Sequence, residues 1–246
     1  MKTNKDHFSG HAADYAKFRP GYPEALFDWI AAQTPGHDLV WDCGCGNGQA
    51  SLPLAERYRR VAATDFSAEQ IAQAAPDPHI EYRVAAAESS GLPDHCADVV
   101  TIAQALHWFD FDRFYPEVRR VVKPGGLIVA WTYQLLRGGP TINALLDDFY
   151  RNTLGPHWPP ERKWVDLAYQ GMPFPFEEIA APPFEIHLRW TLADLLAYLG
   201  TWSATRRCIK AEGRDPMPAL SERLAPYWGE GAREIVWPII LKAGHV

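Results

Sequence analysis

One glycine turn constrains the fold of this chain more than any other feature. Leu39-Val40-Trp41-Asp42-Cys43 reads as a strand and runs directly into Gly44-Cys45-Gly46-Asn47-Gly48, after which residues 50–59 read as a helix. Glycines at 44, 46 and 48 let the backbone turn sharply and leave a main chain with no Cβ in a ligand's way. Strand, turn and helix in that order put the turn at the carboxyl edge of an open α/β sheet, the edge at which such sheets bind ligands. Two nucleotide readings fail on spacing. G-x-G-x-x-G counted from Gly44 needs a glycine at 49, where Gln49 stands, and G-x-x-x-x-G-K-[ST] needs a lysine that does not follow.

The alternation continues past the turn. Residues 23–33 read as a helix with Pro23 in its first turn and Leu26, Phe27, Ile30 and Ala31 on one face. Short strands are predicted at 61–64, 80–84, 98–103 and 127–131. Ser67 with Gln70 predicts a capping box opening a helix to about Ala74, and a helix over 111–122 stops at Lys123-Pro124-Gly125-Gly126. Residues 98–103 are apolar on both faces, as a central parallel strand should be. The pattern predicts an α/β fold with a doubly wound, mostly parallel sheet and right-handed crossovers. A helix near 140–153, a strand at 184–190, helices over 192–228 and a last strand within 234–243 complete the chain. Pro238 in that strand suits an edge, a strand start or a bulge rather than a regular central position.

Composition narrows the function. The 246 residues carry 24 Lys+Arg against 30 Asp+Glu, a net charge of −6, which argues against nucleic acid as the main partner. No stretch is apolar enough to span a membrane, the N-terminus has no apolar signal core, and four cysteines make no disulfide framework. The expectation is a cytoplasmic, soluble enzyme. The spacing of Cys43 and Cys45 suits no zinc pair, so both are read as small apolar fillers and no metal is expected. Seven of the 21 prolines fall within 156–183, alongside Trp158, Trp164, Tyr169, Phe174 and Phe176, so that stretch is no continuous helix. It is either a packed cap or an ordinary surface excursion. The expected division is a core over 1–135, a cap over 136–183 and a segment over 184–246 that completes the same domain.

What fits the turn is D-x-G-x-G-x-G. On it, over about residues 8–135, the chain resembles a class I S-adenosylmethionine-dependent methyltransferase. The resemblance implies a Rossmann-like, seven-stranded methyltransferase fold with S-adenosyl-L-methionine as cofactor. Gly44, Gly46 and Gly48 then face the cofactor, and Asp42 matches the family acid near its cationic methionine end. Asp65, 17 residues after Gly48, is placed to accept bonds from the ribose hydroxyls, and Phe66 to stack beside the adenine. Ala86 stands where the family often has an Asp, so backbone groups around Ala87 or Glu88 must meet the adenine. The fourth strand runs into Gln104, at the end that faces the methyl group in the family.

The run Ala105-Leu106-His107-Trp108-Phe109-Asp110, with Arg119-Arg120-Val121-Val122-Lys123-Pro124-Gly125-Gly126 after it, is similar to the methyltransferase type 11 branch that contains the trans-aconitate methyltransferases. Tyr15 to Pro23 and Thr201-Trp202-Ser203-Ala204 match the same branch, which makes Tyr15 and Arg19 candidates for the methionine carboxylate. The resemblance implies a small, acidic acceptor, O-methylated by in-line displacement. A carboxylate acceptor is already ionised at pH 7 and needs no base; a phenol or activated carbon would need one, with His107 the nearest candidate. His107 is otherwise an orienting or packing histidine. Trp108 and Trp202 either wall the acceptor or belong to the core. Arg206 either grips an acceptor carboxylate bidentately or lies on a solvated face with Arg207 and Lys210. Two other readings stay open: methylation of a quinone or other lipophilic ring, and a non-catalytic cofactor-binding module.

Overall fold

The structure, a computed structural model, describes residues 20–246; Tyr15 and Arg19 lie outside the described residues. In chain order the main elements are α1 (Glu24–Gln33), β1 (Leu39–Cys43), α2 (Ser51–Ala55), β2 (Arg60–Asp65), α3 (Ala68–Ile71), β3 (Ile80–Val84), β4 (Ala97–Ala103), α4 (Phe111–Val121) and β5 (Val122–Tyr133). There follow α5 (Pro140–Asp148), α6 (Lys163–Asp166), β6 (Glu177–Glu178), β7 (Phe184–Trp190), α7 (Leu192–Gly200), α8 (Ser203–Glu212), α9 (Met217–Trp228) and β8 (Arg233–His245).

The sheet runs β3-β2-β1-β4-β5-β8-β6, with β7 also paired to β8. The pairs among β1 to β5 are parallel, and β8 runs antiparallel to β5, β6 and β7. This is the doubly wound α/β sheet that the alternation predicts. Because β2 and β3 lie on one side of β1 and β4 and β5 on the other, the winding reverses between β1 and β4. The glycine turn leaves β1 at that switch point, where open sheets form a crevice.

Every residue of β1 is buried, as a strand covered on both faces requires. Alternate side chains enter two cores. Val40, Val99, Val129 and Trp131 pack with Leu26, Phe27 and Ile30 of α1 on one face. Trp41, Val100, Ile128 and Ala130 pack with Phe114 and Val118 of α4 on the other. Trp41 is wholly buried, and its Nε1 donates to the Thr64 hydroxyl at 2.9 Å, so the largest side chain of β1 leaves no orphan donor.

Several local expectations change in the fold. Residues 123–126 do not break the chain but lie inside β5, where the register with β4 slips between Ala97 and Val99 as a bulge. Only half the capping box at Ser67 forms: its hydroxyl accepts the Gln70 N–H at 3.2 Å, while its own N–H goes to Asp65. The helices over 50–59 and 68–74 are shorter than predicted. β8 is an interior strand over most of its length, but Pro238 does not occupy a regular central position in it. The proline sits just past the last rung with β5, where pairing passes to β7, and its carbonyl still accepts the Gln134 N–H.

The proline-rich stretch is packed. Val165, Tyr169 and Met172 are buried, the Tyr115 hydroxyl donates to the Pro173 carbonyl, and Arg119 donates to the Pro175 carbonyl at 2.6 Å while lying over the Phe176 ring. The loop after β3 is held to α4 in a similar way. Glu117 accepts both the N–H and the hydroxyl of Ser90, at 2.8 and 2.6 Å, and pairs with Arg120, which also donates to the Leu92 carbonyl.

Burial works against ionisation of Glu117, but Arg120 and the Ser90 donors outweigh it and hold its pKa down at about 2. A carboxyl depressed on folding adds stability that is complete above its ordinary 4.5 and lost as pH falls towards 2. Thermal unfolding followed by circular dichroism should show Glu117→Gln costing about 1–3 kcal/mol at pH 7. The variant should also lose part of the wild-type decline between pH 4.5 and 2.5.

Candidate active site

The loops that leave β1, β2, β3 and β4 converge at the switch point. The N–H groups of Gly44 and Cys45 donate to the Thr64 carbonyl at 2.8 and 3.0 Å. Asp65 receives the N–H of Gly46 on one carboxylate oxygen and the N–H of Ser67 on the other, both at 2.8 Å. The glycines at 44, 46 and 48 all adopt left-handed backbone, with φ of 70°, 57° and 86°. They serve different ends. A Cβ on Gly44 would stand 2.6 Å from that of Ala105 and 3.1 Å from the Phe109 ring, so this glycine lets the β1 and β4 loops touch. A Cβ on Gly46 would find only Gln70 Oε1, at 3.7 Å, so Gly46 is the bare floor of an open hollow.

Around that floor stand several of the sequence candidates. Phe66 follows Asp65 and is 54% exposed, presenting an apolar ring beside the hollow. The Ala85 N–H bonds the Asp65 carbonyl at 2.9 Å, which brings the Ala87–Glu88 turn alongside, with Ala87 buried. Glu88 accepts the Asp110 N–H at 2.9 Å and so ties the β3 loop to the β4 loop. Asp42 is different. It has no exposed surface and lies beneath the turn, accepting from the Ser51 hydroxyl at 2.6 Å and the Thr101 hydroxyl at 3.2 Å. Burial raises its pKa to about 6 despite those two bonds, and the Asp65 charge adds to the rise. It braces the start of α2 against β4.

A second hollow of about 50 Å³ adjoins the end of β4. Gln104, His107 and Trp108 line it from below, Trp158 and Arg162 from the cap, and Trp202 from the C-terminal helices. Gln104 holds φ 59°, a left-handed conformation that costs a non-glycine residue on the order of 1 kcal/mol and often marks a functional position. Its Oε1 accepts from the Thr132 hydroxyl at 2.9 Å, and its Nε2 is buried with no hydrogen-bond partner among the described residues. Thr132 also interacts with the Tyr169 phenol, which lies 3.2 Å from His107 Nδ1. Thr132 donates to Gln104, and the Tyr169 hydroxyl and His107 Nδ1 share a hydrogen bond in which either can be the donor. Burial first, and the Arg162 charge second, depress His107 to a pKa of about 3, so the ring is neutral at physiological pH.

Arg162 escaped the sequence reading, which looked for cations on the later helices. Its Nε donates to the Tyr150 hydroxyl at 2.7 Å and faces Asp166 at 3.6 Å, with the guanidinium 4.7 Å above the Trp158 ring. That leaves both terminal nitrogens without a hydrogen bond among the described residues. The only signal in the sequence was Trp158 four residues earlier. Trp108 and Trp202 do line the chamber; Trp202 packs against Tyr150, Trp158 and Tyr198. Arg206 does not. It stands on α8 one turn beyond Trp202 and Ser203, half-buried, with its pKa lowered by that burial.

Cys43 and Cys45 are buried free thiols whose pKa values burial pushes up, in keeping with apolar filling. His157, Cys208 and Glu212 bring donor atoms within 4.8 Å of one another. Arg206, Arg207 and Lys210 share the helix of Cys208 and Glu212.

Residues 41–130, which hold the turn and the ends of β2, β3 and β4, match the methyltransferase domain family. A Dictyostelium discoideum protein bearing a methyltransferase name is 32% identical over 223 residues, spanning 89% of this chain and 85% of its own. The chain belongs to the class I S-adenosylmethionine-dependent methyltransferases. A solved structure described as a type II methyltransferase of Anaeromyxobacter dehalogenans superposes on this methyltransferase with a TM-score of 0.87. It is 46% identical, over 93% of this chain and 98% of that one. An uncharacterised methyltransferase of Mycobacterium tuberculosis is 36% identical over 120 residues, which is 48% of this chain and 49% of the relative. Among the described residues of the methyltransferase no helix is long and apolar enough to cross a membrane.

The hollow over Gly46 suits the nucleoside that the family implies, since it offers a floor without Cβ, a carboxylate and an exposed ring. Gly46→Ala should lower Tm by about 2–8 °C, because left-handed backbone costs a residue with a Cβ ~1–2 kcal/mol. It should also weaken S-adenosylhomocysteine binding in calorimetry tenfold or more. Gly125→Ala, with φ 75° and open space around it, should lower Tm alone.

Proposed function

We propose that this methyltransferase transfers the methyl group of S-adenosylmethionine to the carboxylate of a small molecule. The observation that carries the reading is a set of unbonded donors, the terminal nitrogens of Arg162 and Gln104 Nε2, on a chamber whose one histidine is too weak a base to deprotonate an acceptor. A guanidinium grips a carboxylate in a planar, two-bonded contact, and the buried amide nitrogen supplies a further donor. Gln104 is held in place by Thr132, and Arg162 by Tyr150 and Trp158, so neither donor has to be ordered on binding. Gln104 belongs to this reading as an acceptor contact as much as a cofactor contact. Arg206 serves as a more distant positive charge.

For the cofactor, Gly46 forms the floor, with Gly44 and Gly48 shaping the turn that carries it, Asp65 meets the ribose, and Phe66 with the Ala87–Glu88 turn flanks the adenine. The bound cofactor supplies an electrophilic methyl group and a thioether that departs without protonation. The chain's own work is positioning. Arg162, Gln104, Trp108 and Trp202 hold the nucleophilic oxygen in line, and the aromatic walls keep water from competing. Orientation of this kind supplies effective molarities of ~10⁵–10⁸ M. His107, neutral and bonded to Tyr169, acts as a wall and an orienting group.

The aromatic lining also favours a second reading, methylation of a quinone-like ring. That reaction at a phenol needs a base, and a histidine of pKa about 3 holds a proton poorly at pH 7. A labelled-methyl assay against carboxylic acids and hydroquinones separates the two. Alkali-labile ester product is expected, with kcat flat between pH 6 and 8.5. Arg162→Gln should raise KM for the acid about 10–100-fold, the worth of one charged contact at ~1.5–3 kcal/mol. Product from hydroquinones alone, with a bell-shaped pH profile, overturns the reading.

Asp42 adds a pH dependence to cofactor binding. A cationic ligand favours the ionised carboxylate, so affinity for S-adenosylmethionine should weaken as pH falls below about 6, approaching tenfold per unit. Calorimetry with Asp42→Asn should show that slope gone.

A further inference from the structure

We infer that the acceptor is elongated: a carboxylate joined through an apolar body to a second anionic group. This rests on the carboxylate reading for the reacting end. The chamber at Gln104 and Arg162, about 50 Å³, has room for about three to five waters or one head group, since a water needs roughly 10–15 Å³ of cavity space of this kind. It is not closed. Gln134, Leu135, Trp158, Pro159 and Arg162 also line a cleft of about 740 Å³, within the usual range for small-molecule sites. Arg162 therefore stands at the neck between a head-group chamber and a space large enough for the rest of a ligand.

The cleft's chemistry indicates what that rest is. Leu135, Leu136, Val165 and Leu167 give it apolar wall. Its charged groups are Arg137, Arg151, Arg162 and Lys163 against Asp147 and Asp166, so four cations less two carboxylates leaves +2, on a chain whose net charge is −6. Both carboxylates are already faced by arginine: Asp147 lies 3.9 Å from Arg151, and Asp166 3.6 Å from Arg162. Arg137 and Lys163 have no carboxylate within 4 Å among the described residues. Lys163 lies over the Trp164 ring at 4.8 Å. The Arg137 main chain is pinned to Val236 by two hydrogen bonds, at 2.8 and 2.9 Å, so its side chain starts from a rigid point. Unpaired cations around a partly apolar cleft on an acidic protein select an amphipathic anion and steer it inward. The second anion is a carboxylate or a phosphate.

Calorimetry on the full chain with S-adenosylhomocysteine present tests this without requiring turnover. The probes are butyrate, decanoate, sebacate, and decanoate bearing a terminal phosphate. Sebacate or the phosphate should bind at least tenfold tighter than decanoate, and whichever is the tighter identifies the second anion. Arg137→Gln/Lys163→Gln should erase that gain and leave butyrate affinity unchanged. Equal affinity for decanoate and both doubly charged probes, or a gain that survives in the double variant, overturns the inference. Failure of the carboxylate reading shows separately. Tight, Arg137- and Lys163-dependent binding without methyl transfer supports the cleft and removes the reaction. Methyl transfer to butyrate with no gain from length or charge removes the cleft and leaves the reaction.

Discussion

The carboxylate of Asp65 holds the site together. By taking the Gly46 N–H on one oxygen and the Ser67 N–H on the other, it joins the turn after β1 to the turn after β2. Charged acceptors make the stronger class of hydrogen bond, and here one group satisfies donors from two loops that would otherwise point into a crevice. The Gly46 floor, the Phe66 ring and the β3 loop are placed by that junction. Were Asp65 neutral or absent, the glycines would be free to adopt the many conformations that make them useful in a turn and costly to order.

The site also concentrates unfavourable features that the surrounding fold sustains. Asp42 is buried with only hydroxyl partners, Gln104 is held in left-handed backbone, and its amide nitrogen has no partner among the described residues. Each costs stability, and each lies at the ends of β1 and β4, where two buried strands with cores on both faces can enforce it. Strain and unsatisfied polarity gathered at the switch point of a doubly wound sheet are what a ligand-binding edge looks like from the side of the protein alone.

Acid–base properties divide the two hollows. Around Gly46 the charged groups are carboxylates, which suits a cationic ligand. Around Arg162 the field is positive, and it helps to lower the basicity of His107.

Much of this was legible in the chain. The strand–turn–helix order, the glycine spacing and Asp65 depend on neighbours close in sequence, and the buried run of β4 shows its own periodicity, so the sheet and the position of the turn at its carboxyl edge could be read directly. Local signals misled where tertiary pairing overrides them. Lys123-Pro124-Gly125-Gly126 reads as a turn but is absorbed as a bulge, because both flanks are committed to β4. Pro238, which reads as unsuited to a regular central position, sits where the ladder with β5 has ended and the one with β7 remains. The roles of Asp42 as a buried brace and Arg162 as a cation lining the chamber were decided by folding alone. Ser51 lies nine residues from Asp42 and Thr101 fifty-nine, while Arg162 meets Gln104 and His107 only when the proline-rich segment packs over the sheet. The sequence by itself determined an open α/β sheet with a bare, acid-bracketed turn, since short-range spacing encodes backbone conformation. Only the tertiary structure decided which charges are buried, paired or left free for an acceptor, since that depends on surfaces brought together from distant parts of the chain.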